Sequence, residues 1–139
     1  MTDSPLETEL ALAEKAARAA AEVLNRDFLS DAGVTREEGK DLKTRADLTA
    51  EKIILDILSA SPHPTVSEEA GVAPELPTEG PCWIVDPLDG TMNFARGFPV
   101  SCVSIALWID AAPALGVILD LNGVRLYRGI VGQGAEVDG

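Results

Sequence analysis

An apolar run, Trp83-Ile84-Val85, passes directly into Asp86-Pro87-Leu88-Asp89-Gly90-Thr91, so a strand bound for the core finishes on two carboxylates. A buried approach of this kind calls for a sheet with a covered face, and neighbouring anions repel unless something positive sits between them. A surface turn is one reading, because Asp, Pro and Gly are each favoured in turns on steric grounds. The clean apolar approach favours another: Asp86 ends a buried strand, Pro87 removes an N–H, and Gly90 lets the backbone come near a ligand. A hard divalent cation suits such a site, since Mg²⁺ prefers oxygen ligands, keeps waters and shares its site with phosphate.

Ser67-Glu68-Glu69-Ala70-Gly71 forms a second acidic cluster, also just after a short predicted strand. Alone it reads as an exposed turn. If the two strands are neighbours ending on one sheet edge, Glu68 comes within reach of Asp86, and three or four carboxylates there can hold two metals about 3.5–4 Å apart for phosphoryl transfer. Asp47, in "DLKTRADLTAEK", reads by spacing as an N-cap or first-turn acid of a helix. Lys40, Lys43 and Arg45 beside it read as solvated cations. Thr91 is either an ordinary turn residue or a hydroxyl that orients a water, its N–H and that of Gly90 facing phosphate oxygens.

The rest of the chain supplies a frame for these residues. Ser4-Pro5-Leu6-Glu7 carries the start signals of a helix. Leu6, Leu10, Ala13, Ala17, Leu24 and Phe28 then recur close to helical spacing, and the alanines imply close packing. Asn25 to Lys40 is polar and reads as a connection. A second helical pattern, with Leu48, Ile54, Leu55 and Leu58, stops at Ser61-Pro62-His63-Pro64. Strands are predicted over 64–67, 82–85, 100–109, 114–121 and 124–130, with Gly71 to Pro81 as a loop, and Asn122-Gly123 carries a type I′ hairpin signal. Two helices followed by antiparallel strands give an α+β fold with a helical layer over one sheet face.

Composition narrows the function classes. The 139 residues are 46% hydrophobic, enough for one domain with a real core. The net charge of −12 repels a phosphate backbone, so nucleic acid is not an expected partner. No run reaches the roughly 18 apolar residues of a membrane span, and the acidic N-terminus is no signal peptide, which leaves the cytoplasm as the default. Cys82 and Cys102 have no CxxC spacing and read as buried thiols, and His63 has no second histidine with which to share a metal.

The stretch "WIVDPLDGTMNFARGFPVSCVSIAL", with "SEEAG" and "DLKTRAD" upstream, resembles the inositol monophosphatase family of Mg²⁺-dependent, lithium-sensitive phosphatases, and the likeness extends through "GVILDLNGVRLYRGIVGQGAEVDG". The resemblance implies a two-metal phosphomonoesterase acting on inositol monophosphate or a similar small phosphate ester, a homodimer when full length. It implies that Glu68, Asp86 and the carbonyl of Leu88 hold one Mg²⁺, that Asp86 and Asp89 hold the second, and that Glu69 lies in the outer part of the cluster. Asp47 and Thr91 would position and deprotonate the attacking water, with Gly90 and Thr91 at the phosphate. Family members continue for about as long again, through a WDxAAG-like motif in a second α/β half. Residues 1–139 are therefore expected to be the N-terminal half of an αβαβα sandwich, its antiparallel sheet under a helical layer. Two rivals remain: a sister phosphatase for 3′-phosphoadenosine 5′-phosphate, fructose 1,6-bisphosphate or histidinol phosphate, and a non-catalytic metal-binding or interaction module. Met92-Asn93-Phe94 is closer to the inositol branch than to the nucleotide branch.

Overall fold

The structure, a computed structural model, describes residues 5–28, 45–67 and 76–138. Two helices, α1 (Pro5–Asp27) and α2 (Arg45–Leu58), precede a sheet of β1 (Thr65–Ser67), β2 (Pro81–Asp89), β3 (Cys102–Ile109), β4 (Ala112–Asp120), β5 (Arg125–Ile130) and β6 (Ala135–Asp138). A one-turn helix, α3 (Thr91–Ala95), interrupts the path from β2 to β3. The six strands lie in sequence order in a single sheet. Among the described residues no helix is long and apolar enough to cross a membrane.

Alternation decides which sheet face is covered. Trp83 and Val85 on β2, Val103, Ile105 and Leu107 on β3, Leu115, Val117 and Leu119 on β4, and Leu126 on β5 are all buried. Their register pairs them across the strands, Trp83 with Leu107 and Val85 with Ile105, so they share one face. Helix α1 packs on β3, β4 and β5, and α2 packs on β2 and on α1. Small side chains make that layer thin: Ala13, Ala16, Ala17 and Ala20 of α1 and Ala46 and Ala50 of α2 are wholly buried. The alternating residues on the other face include Ile118, Tyr127 and Val137, which are exposed.

Polar ties complete the layer. Arg128, on the covered face of β5, is hydrogen-bonded to Glu14 of α1. Trp83 donates its indole N–H to Ser61 at 2.8 Å, and His63, tilted against the same ring, meets Glu9 of α1 at 3.1 Å. His63 thus serves packing between α1 and the end of α2.

The α+β layering expected from the sequence is what the chain adopts, with several local differences. The sheet is mixed, because β1 runs parallel to β2. Strand β2 does not stop at Val85 but runs on to Asp89, and α3 and β6 were not foreseen. In α2 the buried stripe is Ala46, Asp47, Ala50, Ile54 and Leu58, while Leu48 is exposed. Tight turns also moved. Asn122 and Gly123 are not in the left-handed region that type I′ requires; four residues separate Asp120 from Arg125, and Val124 takes φ 53°. Burial of Leu121 and the bond from Asn122 N–H to the Asp120 carboxylate at 3.0 Å draw the chain into the longer loop. The two-residue hairpin occurs instead at Asp110-Ala111, both with positive φ (53° and 65°), where Asp110 and Gly80 exchange hydrogen bonds.

An L-residue in the left-handed region is strained by roughly 1–2 kcal/mol. Ala111→Gly should therefore stabilise the fold by about 0.5–1 kcal/mol, less than the full strain because glycine loses more entropy on folding. Urea denaturation checks this: the midpoint should rise at unchanged slope, and a lower midpoint would mean that the turn is not strained.

Candidate metal and phosphate site

Residues three apart on a regular strand point to opposite faces. Asp86 and Asp89 do not. Asp86 pairs with Ser104 and Asp89 with Cys102, so three steps along β2 match two along β3 and the ladder carries a bulge between them. Ser104 and Cys102 share a face, and the bulge therefore turns both carboxylates to the side of the sheet away from α1 and α2. Proline suits the irregular position because Pro87 has no N–H to offer the ladder. Leu88, in the bulge, is 1% exposed and plugs the core, leaving its carbonyl to the turn that follows.

That turn is closed by Gly90, at φ 88° and ψ 38°, which caps α3. A Cβ there would lie 2.7 Å from the Val100 carbonyl oxygen and 3.2 Å from Ser101 Cα. Glycine is thus required twice, by conformation and by the close approach of two backbones. The sequence reading tied this freedom to a ligand; the contact seen is with the chain's own Val100.

Thr91, first residue of α3, places its hydroxyl 2.9 Å from the Asp47 carboxylate and 3.1 Å from the Leu88 carbonyl. It has one proton to give and two acceptors for it. Asp47 stands in the first turn of α2, as spacing alone suggested, but it is 0% exposed. A solvated helix-terminal acid would need no such burial, and a buried carboxylate needs hydrogen-bond donors, of which Thr91 is one. Two segments 44 positions apart in sequence thus meet at one hydrogen bond.

Cys102 pairs with Asp89 across the bulge, its thiol at the long limit of a weak contact, 4.0 Å from the carboxylate. It is partly exposed rather than buried as expected, whereas Cys82 is buried. Burial first, and then the nearby Asp89, Asp86 and Asp120 carboxylates, push the Cys102 thiol up to about 11. No sequence signal linked Cys102 or Asp120 to the site, because only strand register brings them beside Asp89.

Asp86, Asp89 and the Leu88 carbonyl are all hard oxygen donors within one short segment, which fits Mg²⁺ rather than a softer metal. Strand β1 runs parallel to β2 and its last pairing sets Ser67 opposite Val85, the residue before Asp86. Glu68 and Glu69 lie outside the described residues, as do Lys40 and Lys43. Among the described residues no three His, Cys, Asp or Glu side chains are grouped as a metal holder.

The chain is similar to known proteins along nearly its whole length. The pattern of the inositol monophosphatase family matches residues 5–139. An inositol monophosphatase of Mesembryanthemum crystallinum is 41% identical over 140 residues, covering 97% of this chain and 52% of that protein. Among solved structures, an inositol monophosphatase from Anabaena superposes with a TM-score of 0.77 at 34% identity, over 96% of this chain and 48% of the other. CysQ from Bacteroides thetaiotaomicron, a bacterial member of the same family, gives 0.76 at 29% identity, over 97% and 50%. The chain spans about half the length of the relatives it matches.

Because thiolate is the reactive form, a thiol titrating near 11 should be slow to alkylate at pH 8. With divalent cations removed by EDTA, iodoacetamide labelling followed by peptide mapping should show Cys102 reacting far more slowly than a free thiol, with the rate climbing as pH approaches 11. Asp89→Asn removes one of the charges that hold the proton on, so it should shift that rise to lower pH. An unchanged profile would mean that Asp89 does not act on the thiol.

Proposed function

Because this chain belongs to the inositol monophosphatase family, we propose that it carries the metal- and water-handling residues of a Mg²⁺-dependent phosphomonoesterase acting on inositol monophosphate or a similar small phosphate ester. The observation that supports this reading best is the Thr91 hydroxyl, 2.9 Å from the buried Asp47 carboxylate and one residue beyond the Asp89-Gly90 turn. A hydroxyl backed by a buried acid, at the end of a segment rich in oxygen donors, is an arrangement for moving a proton off water.

Asp86, Asp89 and the Leu88 carbonyl, with Glu68 and more distantly Glu69, would hold Mg²⁺, whose chemistry is to lower the pKa of water and offset negative charge on the phosphate. The chain's own groups do the rest. Thr91, donating to Asp47, keeps lone pairs that accept from a water. As the water oxygen bonds to phosphorus, its proton passes through Thr91 to Asp47. The P–O ester bond breaks opposite the incoming oxygen, the leaving alkoxide takes a proton from solvent water, and Asp47 returns its own proton to solvent through Thr91. The Gly90 and Thr91 N–H groups face the phosphate oxygens in this scheme. The likeness to CysQ keeps other small phosphate esters among the substrates to be assayed.

Substitution in the whole protein separates the roles. Asp86→Asn should abolish phosphate release from inositol 1-phosphate at saturating Mg²⁺ without unfolding the protein. Thr91→Ala and Asp47→Asn should lower kcat by about 10²–10⁴-fold with Mg²⁺ affinity nearly unchanged. Phosphate-release kinetics with calorimetric Mg²⁺ titration decide the matter. Near-normal kcat in Asp86→Asn would defeat the metal assignment, and a purely thermal effect of Asp47→Asn would return that residue to a helix-terminal role.

A further inference from the structure

Helix α3 is five residues long and cannot hold itself in place. Its cap, Gly90, has no side chain with which to bond the first turn. What fixes the Gly90-Thr91 backbone must therefore come from outside the helix. Phe94, 5% exposed, anchors one side in the core. On the other side Asn93, half-buried, donates its Nδ2–H to the Val100 carbonyl at 2.9 Å. That carbonyl is the group against which a Cβ on Gly90 would collide, so the two backbones touch there and the position of one sets the position of the other.

We propose that Asn93 is a positioning residue: by holding the Val100 carbonyl against the Gly90 backbone, it keeps the Thr91 hydroxyl directed at Asp47. The main-chain bonds around it, Phe98 N–H to Asn93 O and Val100 N–H to Phe98 O, both 2.8 Å, fasten residues 97–100 to the end of α3, and Leu121 N–H to Ser101 O at 3.1 Å ties the chain just beyond; the Asn93 amide adds the side-chain bond to the Val100 carbonyl itself. Thr91 is sensitive to such control. Its hydroxyl stands between Asp47 at 2.9 Å and Leu88 O at 3.1 Å, and a small displacement of the turn hands the proton from one acceptor to the other. The consequence for hydrolysis rests on the proposed function; the clamp itself does not.

The experiment reads both on the whole protein. Asn93→Asp keeps the side chain's shape and removes its donor, and Asn93→Ala removes it without adding charge. Three-bond NMR couplings to the Thr91 methyl carbon should report one side-chain rotamer in the wild type and averaging in both variants, with core resonances unchanged. Phosphate release should lose about 10–100-fold in kcat at unchanged KM and Mg²⁺ affinity. A single Thr91 rotamer retained in both variants overturns the clamp whatever the activity. Averaging with unchanged kcat overturns its service to the Thr91–Asp47 pair. If the wild type releases no phosphate from any ester while the couplings average as expected, the proposed function falls and the clamp stands.

Discussion

One extra residue in β2 sets the geometry on which the site depends. Without the bulge, Asp86 and Asp89 would face opposite sides of the sheet, one of them into the apolar layer under α1 and α2, where an unpaired carboxylate is strongly disfavoured. With it, both carboxylates turn to the uncovered side while Leu88 still fills the core. The bulge thus reconciles two demands that an even strand cannot meet: continuity of the buried layer and convergence of charge.

Everything around the bulge sets its exact placement. Register with β3 puts Ser104 and Cys102 opposite the two aspartates. Gly90 turns the chain sharply enough for its backbone to rest against Val100, and α3 then presents Thr91 to Asp47. Asp47 can be there only because α2 packs on β2, with the Ala46 and Ala50 contacts letting the helix approach closely. The thin alanine-rich layer and the polar contact it positions are parts of one arrangement. Dense packing of this kind transmits small shifts, so α2, α3 and β2 must be placed together.

Sequence and structure agree where the signal is local and differ where it is not. Helix α1 begins at Pro5 with Glu7 in its first turn, as the local sequence suggests, and the β3 and β4 cores follow from apolar runs; the Ser4 cap lies outside the described residues. The Asn122-Gly123 hairpin failed because a buried Leu121 and the Asp120 carboxylate outweighed the local turn preference. Asp110-Ala111 took the tight turn with alanine where glycine is usual at the second position, because strand pairing and the Gly80 bonds hold it. One turn of helix, α3, is too short to show a period of 3.6 residues.

The sequence by itself determined the chemistry of this protein: which side chains are acidic, that Asp86, Asp89, Gly90 and Thr91 are contiguous, and that two helices precede a sheet. Such features depend on residue identity and near neighbours, which a linear chain displays directly. Only the tertiary structure decided that Asp86 and Asp89 share a face, that Asp47 is buried against Thr91, and that Cys102 lies among carboxylates. Each of those depends on the register of a strand with a partner dozens of residues away. Register is chosen by the total burial of both strands rather than by any residue at the site, so no local pattern records it.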